Sequence, residues 1–143
     1  MAGLIVAVSV SKQKGERKVP VPSVHLRENY GIIDDGHAGE WHRQVSLLAK
    51  ESIAKMRALG LDVGPGDFAE NITTEGIDLV NLPVGARLGI GAVELEISQI
   101  GKVCHTRCAI FYQAGDCVMP KEGVFATVVS GGVIRPDDEI QLL

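Results

Sequence analysis

A chain of 143 residues has room for one good hydrophobic core and not for two ordinary domains, so residues 1–143 are read as a single domain. Its 45% hydrophobic and 22% charged residues are ordinary for a soluble globular protein, and no apolar run approaches the length needed to span a bilayer. The formal net charge of −4 argues against a nucleic-acid binder, whose phosphate contacts call for a basic stripe.

Gly3–Val10 is apolar and β-branched, suited to a buried strand, and lacks the basic leader and length of a signal peptide. Ser11–Lys18 is polar and basic and reads as an exposed turn. Val19–Leu26 is extended, with Pro20 and Pro22 assigning it to an edge or irregular path. Gly31–Arg43 has no clear period and little to bury, so its order must come from neighbours or a ligand. Val45, Ala49, Ile53, Met56 and Leu59 recur at helical steps and predict one long helix over Ser46–Leu59. Ser46 is its expected N-cap, Glu51 and Lys55 an i,i+4 pair, and Gly60 its left-handed stop.

Gly64-Pro65-Gly66-Asp67 is turn chemistry. Strands are predicted at Phe68–Thr74 and, as a hairpin about Gly91, at Arg87–Ile90 and Ala92–Ile100. In the last, Val93, Leu95 and Ile97 alternate with Glu94, Glu96 and Ser98, as in a half-buried strand. A short helix is expected near Cys104–Gln113. Val124–Val129 and Glu139–Leu142 close the chain as strands, bracketing turns at Gly131-Gly132 and Pro136-Asp137-Asp138. The class is α+β, mainly β, and barrel-like.

The run Gly101–Cys108 holds two of the three cysteines, with Lys102, His105 and Arg107 as positive neighbours. Nearby cations stabilise a thiolate, which makes Cys104 a candidate nucleophile or metal ligand. Two other readings stay open. Cys104 is a packed small hydrophobe, or Cys104, Cys108 and Cys117 bind zinc with His105 or His37. Against zinc, there are no paired Cys-x2-Cys knuckles, and adjacent Cys104 and His105 fit one ion poorly. Cys108 either resolves an oxidised Cys104 or packs beside Ala109 and Ile110; Cys117, next to Asp116, is the poorer nucleophile. An odd cysteine count with no secretion signal points to free thiols and the cytoplasm.

His37, His42 and Arg43 directly precede the predicted helix, whose free amides and positive end make an anion pocket. The alternative is that His37 and Arg43 brace the loop through Asp67 or Glu70. Trp41 reads as a packing anchor. Glu70 and Asn71 are polar in an apolar strand and need partners, Glu70 as a tie between strands and Asn71 as pocket lining.

The ordered set of motifs resembles a known family. Gly36-His37-Ala38-Gly39-Glu40-Trp41-His42-Arg43-Gln44-Val45-Ser46-Leu47-Leu48 looks like the early motif of the MOSC domain, the C-terminal domain of molybdenum cofactor sulfurases. Gly66-Asp67-Phe68-Ala69-Glu70-Asn71-Ile72-Thr73-Thr74-Glu75-Gly76 resembles its second motif. Leu82-Pro83-Val84-Gly85, Ile90-Gly91, Gly123-Val124-Phe125-Ala126 and Gly131-Gly132 follow in family order, and Cys104 stands where the family has its cysteine.

The resemblance implies a β-barrel with a cleft around that cysteine. Cys104 would then carry sulfur as a persulfide, or ligate molybdenum in a bound molybdenum cofactor, with His37, Arg43, Asn71, Lys102 and His105 lining the cofactor site. It also implies a cysteine desulfurase as sulfur donor or a molybdenum cofactor biosynthesis protein as partner, and neither nucleic acid nor membrane. The family is often fused to a pyridoxal-phosphate-dependent domain, and no site for that cofactor is expected in this chain. The rival is a non-catalytic domain that binds a small molecule or docks a partner, with structural or zinc-bound cysteines. Two departures stand out: Asp34-Asp35-Gly36 where a Gly-Asp pair is usual, and Pro136-Asp137-Asp138 in place of Pro-Gly-Asp.

Overall fold

Residues 3–13, 16–101 and 122–143 are described by the computed structural model. They form β1 (Gly3–Val10), β2 (Val19–Val21), β3 (Val24–Arg27), β4 (Gly31–Ile32), β5 (Val45–Ala49), α1 (Lys50–Ala58), β6 (Ile72–Glu75), β7 (Arg87–Ile90), β8 (Val93–Ile100), β9 (Val124–Ser130), β10 (Gly132–Ile134) and β11 (Glu139–Leu142), with one 3-10 turn at Leu79–Asn81. The predicted alternation holds in β8, where Val93, Leu95 and Ile97 are buried and Glu94, Glu96 and Ser98 are partly exposed. The β7–β8 hairpin turns at Gly91, whose φ of +60° suits glycine.

Among the described residues, seven strands close on themselves in the order β1-β11-β7-β8-β9-β5-β6 and back to β1. The β5–β6 pair is parallel and the other six are antiparallel. Short β2 lies on β1 outside the ring, and β10, β3 and β4 form a separate three-stranded sheet. Alternate residues fill the interior, among them Val45 and Leu47, Val93, Leu95 and Ile97, and Val124, Ala126 and Val128. On the outer face a second cluster packs Leu48 and Phe125 against Ile53 and Met56 of α1, with Val63 and Phe68 beside them. A barrel core covered by a helix on one flank fits the α+β expectation.

The long helix was expected to begin at Ser46, but Val45–Ala49 is a strand and α1 starts at Lys50. The first four residues of β5 are all buried, because one face meets the barrel core and the other meets α1. A strand covered on both faces shows no alternation, and the coincidence of Val45 and Ala49 with Ile53 mimicked a helical face. Ser46 is therefore not a helix cap. Its hydroxyl donates to the Ala69 carbonyl, and its amide donates to Asn71 Oδ1 at 3.0 Å. Nor do Glu51 and Lys55 pair. Glu51 accepts from the Gly76 amide and Lys55 reaches Glu122, both at 2.9 Å. Gly60 does end the helix in a left-handed conformation, at φ +94°.

Three further expectations change. The strand predicted at Phe68–Thr74 begins only at Ile72, after a turn in which Ala69 has positive φ. Gly131-Gly132 was read as a turn, yet Gly132 opens β10. At Gly131 a Cβ would sit 2.5 Å from the Leu26 carbonyl oxygen, so the glycine there permits close backbone approach. The helix expected near Cys104–Gln113 lies outside the described residues.

Lys18, read as part of an exposed basic turn, is buried. Its Nζ lies 2.8 Å from Asp35 Oδ1 and 2.9 Å from the Ser11 hydroxyl, and both charged side chains are fully shielded from solvent. Burial by itself would push the Asp35 carboxyl up. The Lys18 ammonium and the Ser11 and His37 amides outweigh it and hold the group below its usual range. The extra charge of Asp34-Asp35 is thus half cancelled inside the fold. At both departures from the family pattern the backbone keeps a glycine-like conformation: Asp34 has φ +70° and Asp137 φ +75°. Aspartate tolerates this region better than most residues.

Candidate functional site

The segment from Gly36 to Gln44 has no regular structure, and side chains rather than a ladder order it. Asp35 Oδ2 accepts from the His37 amide at 3.0 Å, and Trp41 Nε1 donates to the His37 carbonyl at 2.8 Å. The Trp41 ring stacks nearly parallel to the His37 imidazole, centroids 6.1 Å apart and 7° between planes, and meets His42 edge-on at 5.7 Å. Trp41, expected to be a packing anchor rather than a stacking platform, is half-buried, belongs to neither core cluster among the described residues, and serves as the platform for its His and Arg neighbours.

Arg43 completes that cluster. Its guanidinium carbon lies 5.8 Å from the Trp41 ring centroid and 5.3 Å from that of Phe125, the same Phe125 that packs under α1. Such contacts contribute about 0.5–2 kcal/mol each, rising as water is excluded, so Arg43 is held rather than freely solvated. Its Nε donates to Gln99 Oε1 at 3.2 Å. Among the described residues neither terminal nitrogen has a hydrogen bond, and no carboxylate lies within ion-pair distance. A planar fork with donors to spare fits a phosphate or carboxylate oxyanion. The pterin phosphate of a molybdenum cofactor is within this donor set's chemistry.

Gln99 was not singled out from sequence. Its Oε1 lies 2.9 Å from His42 Nε2 as well as 3.2 Å from Arg43 Nε, and its Nε2 donates to the Gly101 carbonyl at 2.7 Å. Ser98, one residue earlier, donates its hydroxyl to the His42 carbonyl. Strict alternation after Val93, Leu95 and Ile97 would put position 99 in the core, but a bulge sets Gln99 opposite outward-facing Phe125 and returns Ile100 to the core, so no local signal marked it. Gly101 in turn donates its amide to the Gly123 carbonyl at 2.6 Å, so the chain on either side of residues 102–121 is joined next to this cluster.

The anion pocket was expected at the N-terminus of the long helix. That origin is corrected, because β5 stands between Arg43 and α1. Five strand residues span roughly 16 Å, far beyond the reach of a helix-end charge. The cationic character comes from Arg43 itself. Nor do His37 and Arg43 brace Glu70. Among the described residues, His37, Trp41, His42 and Arg43 come together, whereas Asn71 does not join them. Asn71 is fully buried, its Oδ1 accepting from Ser46 and its Nδ2 donating to the Ser9 carbonyl at 3.1 Å. It ties β1, β5 and β6 together, a structural place in which each bond left unmade would cost about 1–3 kcal/mol. Cys104, Lys102, His105, Arg107, Cys108 and Cys117 lie outside the described residues.

Glu70, expected to tie strands together, instead braces its own segment, since its partners all lie between Gly66 and Thr73. Its carboxyl is fully buried and accepts from the Phe68 amide at 3.2 Å and the Thr73 hydroxyl at 2.8 Å. Burial pushes it above the usual glutamate range, against the pull of these donors and the Gly66 amide. Because the folded value is raised, its contribution is full below the unfolded value and is lost as pH rises through the folded one. Urea titrations should therefore show Glu70→Gln with a flatter stability profile than wild type just above the ordinary carboxylate range. An unchanged slope would contradict an ionising Glu70.

Two open hollows of about 430 and 470 Å³ lie elsewhere, one against Ser52, Lys55 and Glu122 and one at Arg17 and Leu59–Val63. Their cations are already paired, Lys55 with Glu122 at 2.9 Å and Arg17 with Asp67 at 4.0 Å. Arg43 is the better anchor for an anion. Among the described residues no group of three His, Cys, Asp or Glu side chains is placed to hold a metal ion. No helix among them is long and apolar enough to cross a membrane.

The architecture is a helix-flanked β-barrel with an aromatic-held cation beside the end of one barrel strand. Residues 34–141 match the family model of the MOSC domain, and the chain belongs to that family, which is linked to molybdenum cofactor sulfurases. The same fold is seen in the YuaD protein from Bacillus subtilis, at a TM-score of 0.82 and 17% identity over 98% of this chain and 94% of that one. It recurs in YiiM from Geobacillus stearothermophilus, at a TM-score of 0.72 and 21% identity over 99% and 75% of the two chains. YiiM from Escherichia coli matches at 0.69 and 20% over 100% and 70%. Comparison with curated protein sequences gives no match.

Proposed function

We propose that this chain serves molybdenum cofactor metabolism with Cys104 as its working group, in one of two forms. In the carrier form, Cys104 takes sulfane sulfur from a cysteine desulfurase in the cytoplasm and hands it to an acceptor such as a cofactor biosynthesis protein. The Cys104 thiolate attacks the terminal sulfur of the donor's persulfide. A new S–S bond forms as the donor's breaks, and the donor leaves as a thiolate, so no outside oxidant is needed. Lys102, His105 and Arg107 favour the thiolate that attacks.

In the ligand form, Arg43 holds the pterin phosphate with His37 beside it, and the Cys104 sulfur ligates molybdenum, which supplies the redox chemistry. Both forms use a cation near the cysteine. The observation that supports them is Arg43, fixed by Trp41, Phe125 and Gln99 and linked through Gln99 to Gly101 of the Gly101–Gly123 junction, with its terminal nitrogens free among the described residues. Family membership supplies the link to molybdenum cofactor.

Metal and pterin analysis of protein purified under reducing conditions separates the forms. Molybdenum with a pterin chromophore, lost in Cys104→Ala, is the result expected of the ligand form; metal-free protein is expected of the carrier. Stoichiometric zinc that Cys108→Ala removes would overturn both in favour of a structural metal domain.

A further inference from the structure

We propose that Gln99 is the positioning residue of this site: one carbonyl oxygen sets the tautomer of His42 and the direction in which Arg43 offers its charge. The proposal rests on the reading of Arg43 as the group that holds an anion. The geometry leaves little freedom. Gln99 Nε2 faces the Gly101 carbonyl at 2.7 Å, and Oε1 faces Arg43 Nε at 3.2 Å. Turning the amide over would set an NH2 against a guanidinium and an oxygen against a carbonyl, losing both bonds.

With Oε1 fixed as an acceptor, His42 Nε2, 2.9 Å away, must be the protonated nitrogen. The neutral imidazole is then the Nε2–H tautomer, with Nδ1 as its acceptor. The same oxygen holds Arg43 through Nε, the inner nitrogen, which leaves the two terminal nitrogens to form a two-pronged contact with an oxyanion. The Trp41 and Phe125 rings on the guanidinium prevent it from swinging to recover solvent. Gln99 thus presents a fork to phosphate-like oxyanions while remaining neutral. A carboxylate at the same position would orient the fork equally well and cancel its charge.

The test is nitrogen-15 NMR of the full chain, at a pH high enough to keep imidazoles neutral, with inorganic phosphate as the probe. Wild type is expected to show His42 as the Nε2–H tautomer, with Arg43 Nε–H shifting as phosphate is added. Gln99→Leu is expected to give a mixed His42 tautomer and about tenfold weaker phosphate binding, with an unchanged melting temperature. Gln99→Glu is expected to keep the proton on Nε2 and lose the phosphate response. A His42 tautomer and phosphate affinity that are both unchanged in Gln99→Leu would overturn the proposal. If wild type shows the fixed tautomer, lost in Gln99→Leu, yet no phosphate response, Gln99 still positions the pair and it is the anion-holding reading of Arg43 that fails.

Discussion

Lys18→Met should lower the stability of this protein by about 3–5 kcal/mol at neutral pH, a fall in Tm of roughly 6–20 °C for a chain of this size. The substitution keeps the length of the side chain and removes its charge, stranding Asp35 in a fully buried position. Two backbone amides remain for the carboxylate, from Ser11 and His37, and these do not replace the ammonium. A surface ion pair would lose at most about 1 kcal/mol, so the size of the effect separates the two descriptions.

The pH dependence has a definite sign. Asp35 is held below its usual range in the folded state, so its contribution is full above the unfolded value and is lost as pH falls through the folded one. The gap between wild type and Lys18→Met should therefore narrow in acid. Lys18→Met combined with Asp35→Asn should recover part of the loss, because Asn carries no charge and keeps one of the two acceptor oxygens that the Ser11 and His37 amides use. Urea unfolding of the three proteins checks this; a Lys18→Met cost under about 1 kcal/mol would contradict the buried pair. The consequence reaches the site, since Asp35 is the group that fixes the His37 amide and with it the start of the loop bearing Trp41 and Arg43.

How much of this was legible in the sequence depended on whether the informative partner was local. The β7–β8 hairpin was readable because alternation and Gly91 are nearest-neighbour signals. The helix stop at Gly60 was local as well. β5 was not readable, since burial on both faces erased the period, and only the tertiary cover of α1 explains its four consecutive buried residues. Lys18 looked like surface for a similar reason: its partner Asp35 is 17 residues away and nothing near Lys18 announces it. The cluster was half legible. His37, Trp41, His42 and Arg43 share one motif, but Gln99 arrives 56 residues after Arg43, from β8, two places along the ring from β5. Asn71 looked like pocket lining because a polar residue in an apolar run must have partners. Those partners proved to be Ser46 and Ser9, in neighbouring strands.

Cys104→Ala should abolish sulfur loading altogether while leaving the fold intact. The expectation follows from chemistry that has no partial substitute, because alanine offers no atom on which a persulfide forms. Cys108→Ala and Cys117→Ala test the alternative that any thiol in the chain suffices. Both should load fully if Cys104 alone is activated by its cationic neighbours. Should Cys108 resolve a persulfidated Cys104, its loss should instead prolong the loaded state.

Intact-mass spectrometry after incubation with a cysteine desulfurase and free cysteine reads sulfur on Cys104 itself. One added sulfur per wild-type chain is expected in the carrier form, removed by reductant, absent from Cys104→Ala and present in Cys108→Ala and Cys117→Ala. Wild-type protein that stays unloaded under conditions that load a known carrier would contradict the carrier form, and sulfur retained by Cys104→Ala would contradict Cys104 as the working group.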